Sequence, residues 1–157
     1  NDAYDYLNNK TEYINNEINT KSDTAIAYCD GSYDDNNQRF SYGAIIINNN
    51  QTVEFSQAFD AFDTGRNITG EIFGAMKAMQ YCLENNIKSL DLYYDYAGIE
   101  AWATGAWKAN KEMTKRYVKF YEALKDKLNV NFIKVQAHTS VEFNERADAL
   151  AKAALEL

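Results

Sequence analysis

The chain predicts an α/β domain on a five-stranded mixed sheet, three antiparallel strands first and two parallel additions after, flanked by helices. Two observations carry that expectation. Three β-rich runs succeed one another across short turns between about residues 24 and 59, the pattern of a meander. Two further apolar runs then alternate with segments whose apolar residues recur every three or four positions, the pattern of helix-linked parallel strands.

Residues 1–23 differ in composition from the rest of the chain. They are rich in Asn and contain no Gly or Pro, and Tyr4, Leu7, Ile14 and Ile18 fall near helical spacing, so an N-terminal extension or linker with a marginal helix is expected, without a catalytic role. The main domain is expected over 24–157. Its first strand spans about 24–30, through Ala25-Ile26-Ala27-Tyr28-Cys29-Asp30, and its second about 40–47. Asn48-Asn49-Asn50 turns the chain into a third strand near 52–59, because Asn tolerates the left-handed backbone of a tight hairpin.

Thr69-Gly70-Glu71 then leads a helix on which Ile72, Met76, Met79 and Leu83 share a face, closing at Asn85-Asn86. A strand comes next at 88–94, then a short helix at 97–104 broken by Gly105, and a longer helix at 114–127 with Tyr117, Phe120, Tyr121 and Leu124 as its core face. The last elements are a strand at 130–136 and a helix at 143–155. There Phe143, Ala147, Leu150 and Ala154 form the buried stripe and leave Asp148 off it. A right-handed crossover through the first of these helices sets the first and fourth strands parallel and adjacent.

Composition narrows the class. A hydrophobic share of 46% is that of an ordinary globular protein. No apolar run reaches the length of a bilayer span and no signal-peptide pattern opens the chain, so a cytoplasmic protein without a membrane partner is expected. Cys29 in a strand and Cys82 on a helix stripe read as small buried residues, not as a disulfide framework. The formal net charge of -7 argues on its face against a nucleic-acid partner. Its distribution qualifies that: Lys108, Lys111, Lys115, Arg116 and Lys119 face only Glu112 between Trp107 and Lys119.

Four acids in distinct contexts carry the chemistry. Asp30 and Asp95 each end a strand pattern and read as carboxylates at the C-terminal tip of a strand, while Glu71 and Asp148 lie in the first turns of two helices. Neighbouring strands sit roughly 4.8 Å apart, which brings Asp30 and Asp95 close enough to share a cation. Carboxylates gathered at one sheet edge repel one another unless hard cations lie between them, so a divalent metal site is expected, with an ion separation of about 3.5–4 Å within reach.

In order and spacing, Asp30-Gly31-Ser32, Tyr42-Gly43-Ala44, Gly70-Glu71-Ile72, Tyr94-Asp95-Tyr96, Ala137-His138-Thr139 and Asn144-Glu145-Arg146-Ala147-Asp148-Ala149-Leu150-Ala151 resemble type 1 ribonuclease H. The resemblance covers about 24–155 and implies the RNase H-like fold. It further implies an endoribonuclease that cuts the RNA strand of RNA:DNA hybrids with two Mg2+ or Mn2+ ions, leaving a 5'-phosphate and a 3'-hydroxyl. Asp30 would bridge both ions, Glu71 and Asp95 would hold the ion that acidifies water, and Asp148 the ion facing the leaving oxygen. His138, the single histidine, matches a loop histidine for proton transfer or product release.

The same resemblance points to Gly31, Ser32, Tyr33 and Asn67 for contact with the 2'-hydroxyl-bearing strand. Trp107, Lys108 and Lys111 resemble a basic protrusion that grips the DNA strand. After Asp95 the chain has Tyr96-Ala97-Gly98 where many relatives place polar side chains. A monomer is expected, and Tyr4-Asp5-Tyr6-Leu7 is compatible with an upstream hybrid-binding domain. The alternatives are another nuclease of the same fold (resolvase, integrase or reverse-transcriptase-linked domain) and a non-catalytic hybrid-binding module.

Overall fold

The computed structural model describes residues 24–136 and 142–157, so the expected extension over 1–23 and the loop bearing His138 lie outside the described residues. The described residues form β1 (Thr24–Asp34), β2 (Arg39–Asn48), β3 (Gln51–Asp60), α1 (Asn67–Glu84), β4 (Ser89–Tyr94), α2 (Gly98–Thr104), α3 (Glu112–Leu124), β5 (Asn129–Lys134) and α4 (Glu142–Ala154). The sheet runs β3-β2-β1-β4-β5. The first three strands pair antiparallel, and β4 and β5 join β1 in parallel, as the sequence predicts. No helix of the described residues is long and apolar enough to cross a membrane.

Alternation along β1 assigns one helix layer to each face of the sheet. Ala25, Ala27 and Cys29 pack with Ile72, Ala75, Met79, Leu90 and Leu92 beneath α1. Tyr28 points the other way, into a smaller cluster with Ile45, Tyr93, Phe143, Ala147 and Leu150 beneath α4. There the Tyr28 and Tyr93 rings stack with centroids 4.4 Å apart. Cys29 and Cys82 are buried free thiols, as expected. The Asn turn also behaves as predicted: Asn49 and Asn50 take φ of 53° and 63°, which matches the twist of a two-residue hairpin.

Four boundaries differ from expectation. β1 does not end at Asp30 but continues paired with β2 as far as Asp34 opposite Arg39. Its parallel pairing with β4 stops at Tyr28 opposite Tyr93, so Asp30 sits inside β1, two residues beyond that pairing, rather than at a strand tip. α1 begins at Asn67, which makes Asn67 a helix residue, and Glu71 lies one turn in. The cause is Asp63, whose Oδ1 accepts hydrogen bonds from Gly65 N at 2.8 Å and Thr69 Oγ1 at 3.0 Å and organises the turn ahead of the helix. α3 starts at Glu112 because Thr114 Oγ1 accepts from Lys111 N at 3.1 Å, and it ends at Leu124. In α4, Asp148 likewise falls past the first turn, and Ala151 joins the buried stripe.

Both helices come unusually close to the sheet, at glycines. A Cβ on Gly31 would stand 2.1 Å from Asn67 O and 2.3 Å from Glu71 N, and one on Gly70 would stand 2.1 Å from Ser41 O. On the opposite face, a Cβ on Gly43 would stand 2.2 Å from Ala147 O. Ser41 Oγ, fully buried, donates to Ala151 O at 2.5 Å and fixes α4 at that distance. Gly43→Ala is expected to destabilise the protein by about 2–3 kcal/mol or more, because backbone rather than a flexible side chain must give way. Denaturant unfolding measures this; a loss under about 1 kcal/mol would show that the approach is slack.

Candidate active site

The four predicted acids lie on β1, on α1, directly after β4 and on α4. Asp30 lies on the α4 face of β1, two residues beyond the last β1–β4 pair, and Asp95 comes directly after β4. Asp148 belongs to α4, the helix on that face, and its carboxyl is among the groups that raise Asp30. Glu71 arrives from the opposite layer, only 3% exposed, through the gap beside β1. Its Oε2 accepts two backbone hydrogen bonds, from Asp95 N at 2.8 Å and Tyr96 N at 3.0 Å.

The electrostatics of this edge arise from crowding. Burial, then the hydrogen bond with Asp148, then the Glu71 charge push the Asp30 carboxyl up to about 8, against a smaller lowering by the 2.9 Å bond from Gly31 N. Burial also raises Glu71, to about 7; the bonds from Tyr96 and Asp95 and the charge of Lys134 work against it, and the Asp95 carboxylate works with it. Asp30 thus feels Asp148 and Glu71, and Glu71 feels Asp95. On the solvent side Lys152 Nζ lies 2.9 Å from Asp148 Oδ2, a half-exposed pair that contributes little to stability.

Among the described residues no three His, Cys, Asp or Glu side chains form a ready-made ion-holding group. The donor set nonetheless suits a hard divalent cation. Carboxylate oxygens are the ligands such ions take. Crowded carboxyls favour a proton or a cation between them, and burial and the neighbouring acids push the Asp30 carboxyl up.

The predicted substrate contacts surround this edge. Gly31 is pressed against the first turn of α1, and Ser32 and Tyr33 continue along β1. The Tyr33 ring packs on Phe40 at 5.6 Å, with the Arg66 guanidinium 6.0 Å from its centroid. Exposed Asn67 comes after Arg66, a residue not anticipated from sequence that takes φ 54° and ψ -134°, a costly backbone for a non-glycine residue. Trp107 is 44% exposed and packs edge-on against Tyr96 and Trp102, with centroids 6.0 and 5.9 Å apart. Lys108 and Lys111 are exposed just beyond it. Glu100 reads from sequence as a plain surface charge, yet it accepts a 2.5 Å hydrogen bond from Tyr94 Oη.

Comparison with known proteins agrees with this arrangement. The RNase H family model matches residues 22–156. The chain is 33% identical over 148 residues to the ribonuclease H of Francisella philomiragia, covering 88% of this chain and 95% of that protein. It is 29% identical over 146 residues to the ribonuclease H of Clostridium botulinum, covering 83% and 95%. Among solved structures it is similar to RNase H1 from the halophilic archaeon Halobacterium salinarum, with a TM-score of 0.69 at 25% identity, covering 85% of this chain and 98% of that one. It also shares the fold of LC11-RNase H1, solved in complex with RNA/DNA hybrid, with a TM-score of 0.68 at 19% identity, covering 84% and 96%. By the extent of the family match and by the five-stranded mixed sheet, the chain belongs to the ribonuclease H family, type 1.

Proposed function

We propose that this ribonuclease H hydrolyses the RNA strand of RNA:DNA hybrids at the edge formed by Asp30, Glu71, Asp95 and Asp148, giving 5'-phosphate and 3'-hydroxyl ends. The observation that carries the reading is the tie from buried Glu71 to the N–H groups of Asp95 and Tyr96, with the backbone of Glu71 pressed against Gly31 next to Asp30. Asp30 would be shared between two Mg2+ or Mn2+ ions, with Glu71 and Asp95 toward one and Asp148 toward the other. Bound there, the pair of ions would supply an acidified water and offset charge on the departing 3'-oxygen.

The protein's own groups do the rest. Buried Glu71, with Oε2 occupied by backbone N–H groups, keeps Oε1 for an ion and holds Asp95 in place. The segment Gly31–Tyr33 and Asn67 would lie along the 2'-hydroxyl-bearing strand, and Trp107, Lys108 and Lys111 along the DNA backbone. His138, which precedes α4 in the chain, would move a proton near the leaving group or assist product departure. The relative solved with bound RNA/DNA hybrid supports the substrate class.

Labelled hybrid, double-stranded RNA and double-stranded DNA, each incubated with Mg2+, Mn2+ or EDTA, test the proposal. Cutting confined to RNA in the hybrid and abolished by EDTA is expected. Equal cutting of DNA would favour another nuclease of this fold, and binding without cutting a non-catalytic module. Asp30→Asn is expected to remove activity while raising the stability of the cation-free protein at pH 8 by roughly 1–3 kcal/mol, since it relieves carboxylate crowding. A lowered Tm would contradict that account.

The raised carboxyls fix a pH dependence. Without cations the folded protein keeps protons on Asp30 and Glu71 that the unfolded chain has lost above about pH 4. Their contribution to stability is therefore fully present below about pH 4 and is lost as pH rises through about 7 and about 8. Mg2+ competes with those protons, so the Tm increase it produces should grow between about pH 6 and about pH 8.5. A pH-independent increase in thermal scans would place the ions elsewhere. For His138→Ala, kcat on hybrid is expected to fall about tenfold or more without being abolished, and an unchanged turnover rate would remove the residue from the mechanism.

A further inference from the structure

The turn that carries Asp95 is tied down from three directions. From α1, Glu71 Oε2 takes the N–H groups of Asp95 and Tyr96. From α3, fully buried Tyr117 donates its hydroxyl to Ile99 O at 2.7 Å. From β4, Tyr94 donates its hydroxyl to Glu100 Oε1 at 2.5 Å, across the turn. Tyr94 is 3% exposed, with its ring edge-on to Phe132 at 6.2 Å, so the donor is fixed and the bond positions the partner.

Glu100 needs such a tie because α2 is weakly anchored by itself. The helix runs only from Gly98 to Thr104, its N-cap Ala97 makes no side-chain cap bond, and it ends at left-handed Gly105. A Cβ on Gly98 would stand 2.6 Å from the Tyr96 ring and 2.7 Å from the Trp102 ring, so the helix start is wedged between aromatics. Tilting α2 would move Tyr96 and Asp95 together, as they adjoin it in the chain.

We infer that Tyr94 and Glu100 are positioning residues that hold α2 across the end of β4 and thereby fix the turn that carries Asp95. The inference rests on the proposed metal-dependent site and adds two residues to it. Neither touches the reacting atoms. Glu100 would act through its acceptor oxygen rather than its charge, because a short hydroxyl-to-oxygen bond needs an acceptor and an amide oxygen serves as well.

The experiment compares Tyr94→Phe, Glu100→Ala and Glu100→Gln with the unmodified chain. In the cation-free protein, amide exchange at Asp95 and Tyr96 should accelerate about tenfold in Tyr94→Phe and Glu100→Ala but stay within about twofold in Glu100→Gln. Trp102 and Trp107 are the two tryptophans of the chain, and both pack on Tyr96, so their fluorescence reports the same turn without a label. Calorimetric titration with Mn2+ should show about three- to tenfold weaker binding for the first two variants. On hybrid, their kcat should fall about tenfold with KM within about twofold, and Glu100→Gln should restore it. Unchanged exchange and unchanged Mn2+ affinity in Glu100→Ala would overturn the inference, as would Glu100→Gln failing like Glu100→Ala. If the unmodified chain binds no Mn2+ and cuts no hybrid, the proposed function fails instead; the exchange comparison still decides whether the tie holds the turn.

Discussion

Everything at the open sheet edge depends on one buried carboxylate and two backbone N–H groups. Glu71 sits beneath α1 and binds the N–H groups of Asp95 and Tyr96, linking the α1 layer to the far end of β4. A carboxylate this buried is costly unless it is hydrogen-bonded, and the two N–H groups belong to a segment past its strand that would otherwise need water as partner. Each satisfies the other. The bond also crosses the sheet: Glu71 comes from one helix layer, while Asp30 and Asp148 belong to the face of the other.

That bond forms only because α1 lies almost on the strand. Gly31 and Gly70 remove the side chains that would hold the helix away, and the backbone of Glu71 itself would meet a Cβ on Gly31. Gly43 and the buried Ser41 hydroxyl do the same for α4 and so for Asp148. The Gly in Asp30-Gly31-Ser32 and the Gly in Gly70-Glu71-Ile72 are therefore two halves of one contact. Motifs about 40 residues apart in sequence read as a single packing requirement in space.

This contact explains what the sequence makes legible and what it does not. The sheet order and both parallel additions come from alternation and crossover handedness, and these are properties of runs of residues. The start of α1 is hidden because it depends on one side chain, Asp63, folding back on Gly65 and Thr69. The extension of β1 past Asp30 is hidden because it is set by the partner strand β2. Glu100 looks solvated on a short helix, since its partner Tyr94 lies across a turn that no helical or strand period describes. Arg66 is invisible for a related reason: its backbone is dictated by the Asp63 turn before it and the helix after it.

Charge placement completes the physical picture. A net charge of -7 opposes nucleic acid when treated as a sum, yet its unfavourable part near the proposed substrate is concentrated in the acids that cations would neutralise. The exposed cations include Arg66 beside the Tyr33 ring, Lys152 paired with Asp148, and Lys108 and Lys111, which follow Trp107 in the chain. Divalent ions held by the four acids, as proposed above, would offset carboxylate charge that a phosphate backbone would otherwise meet, so the approach of the backbone and the occupation of the site would reinforce each other.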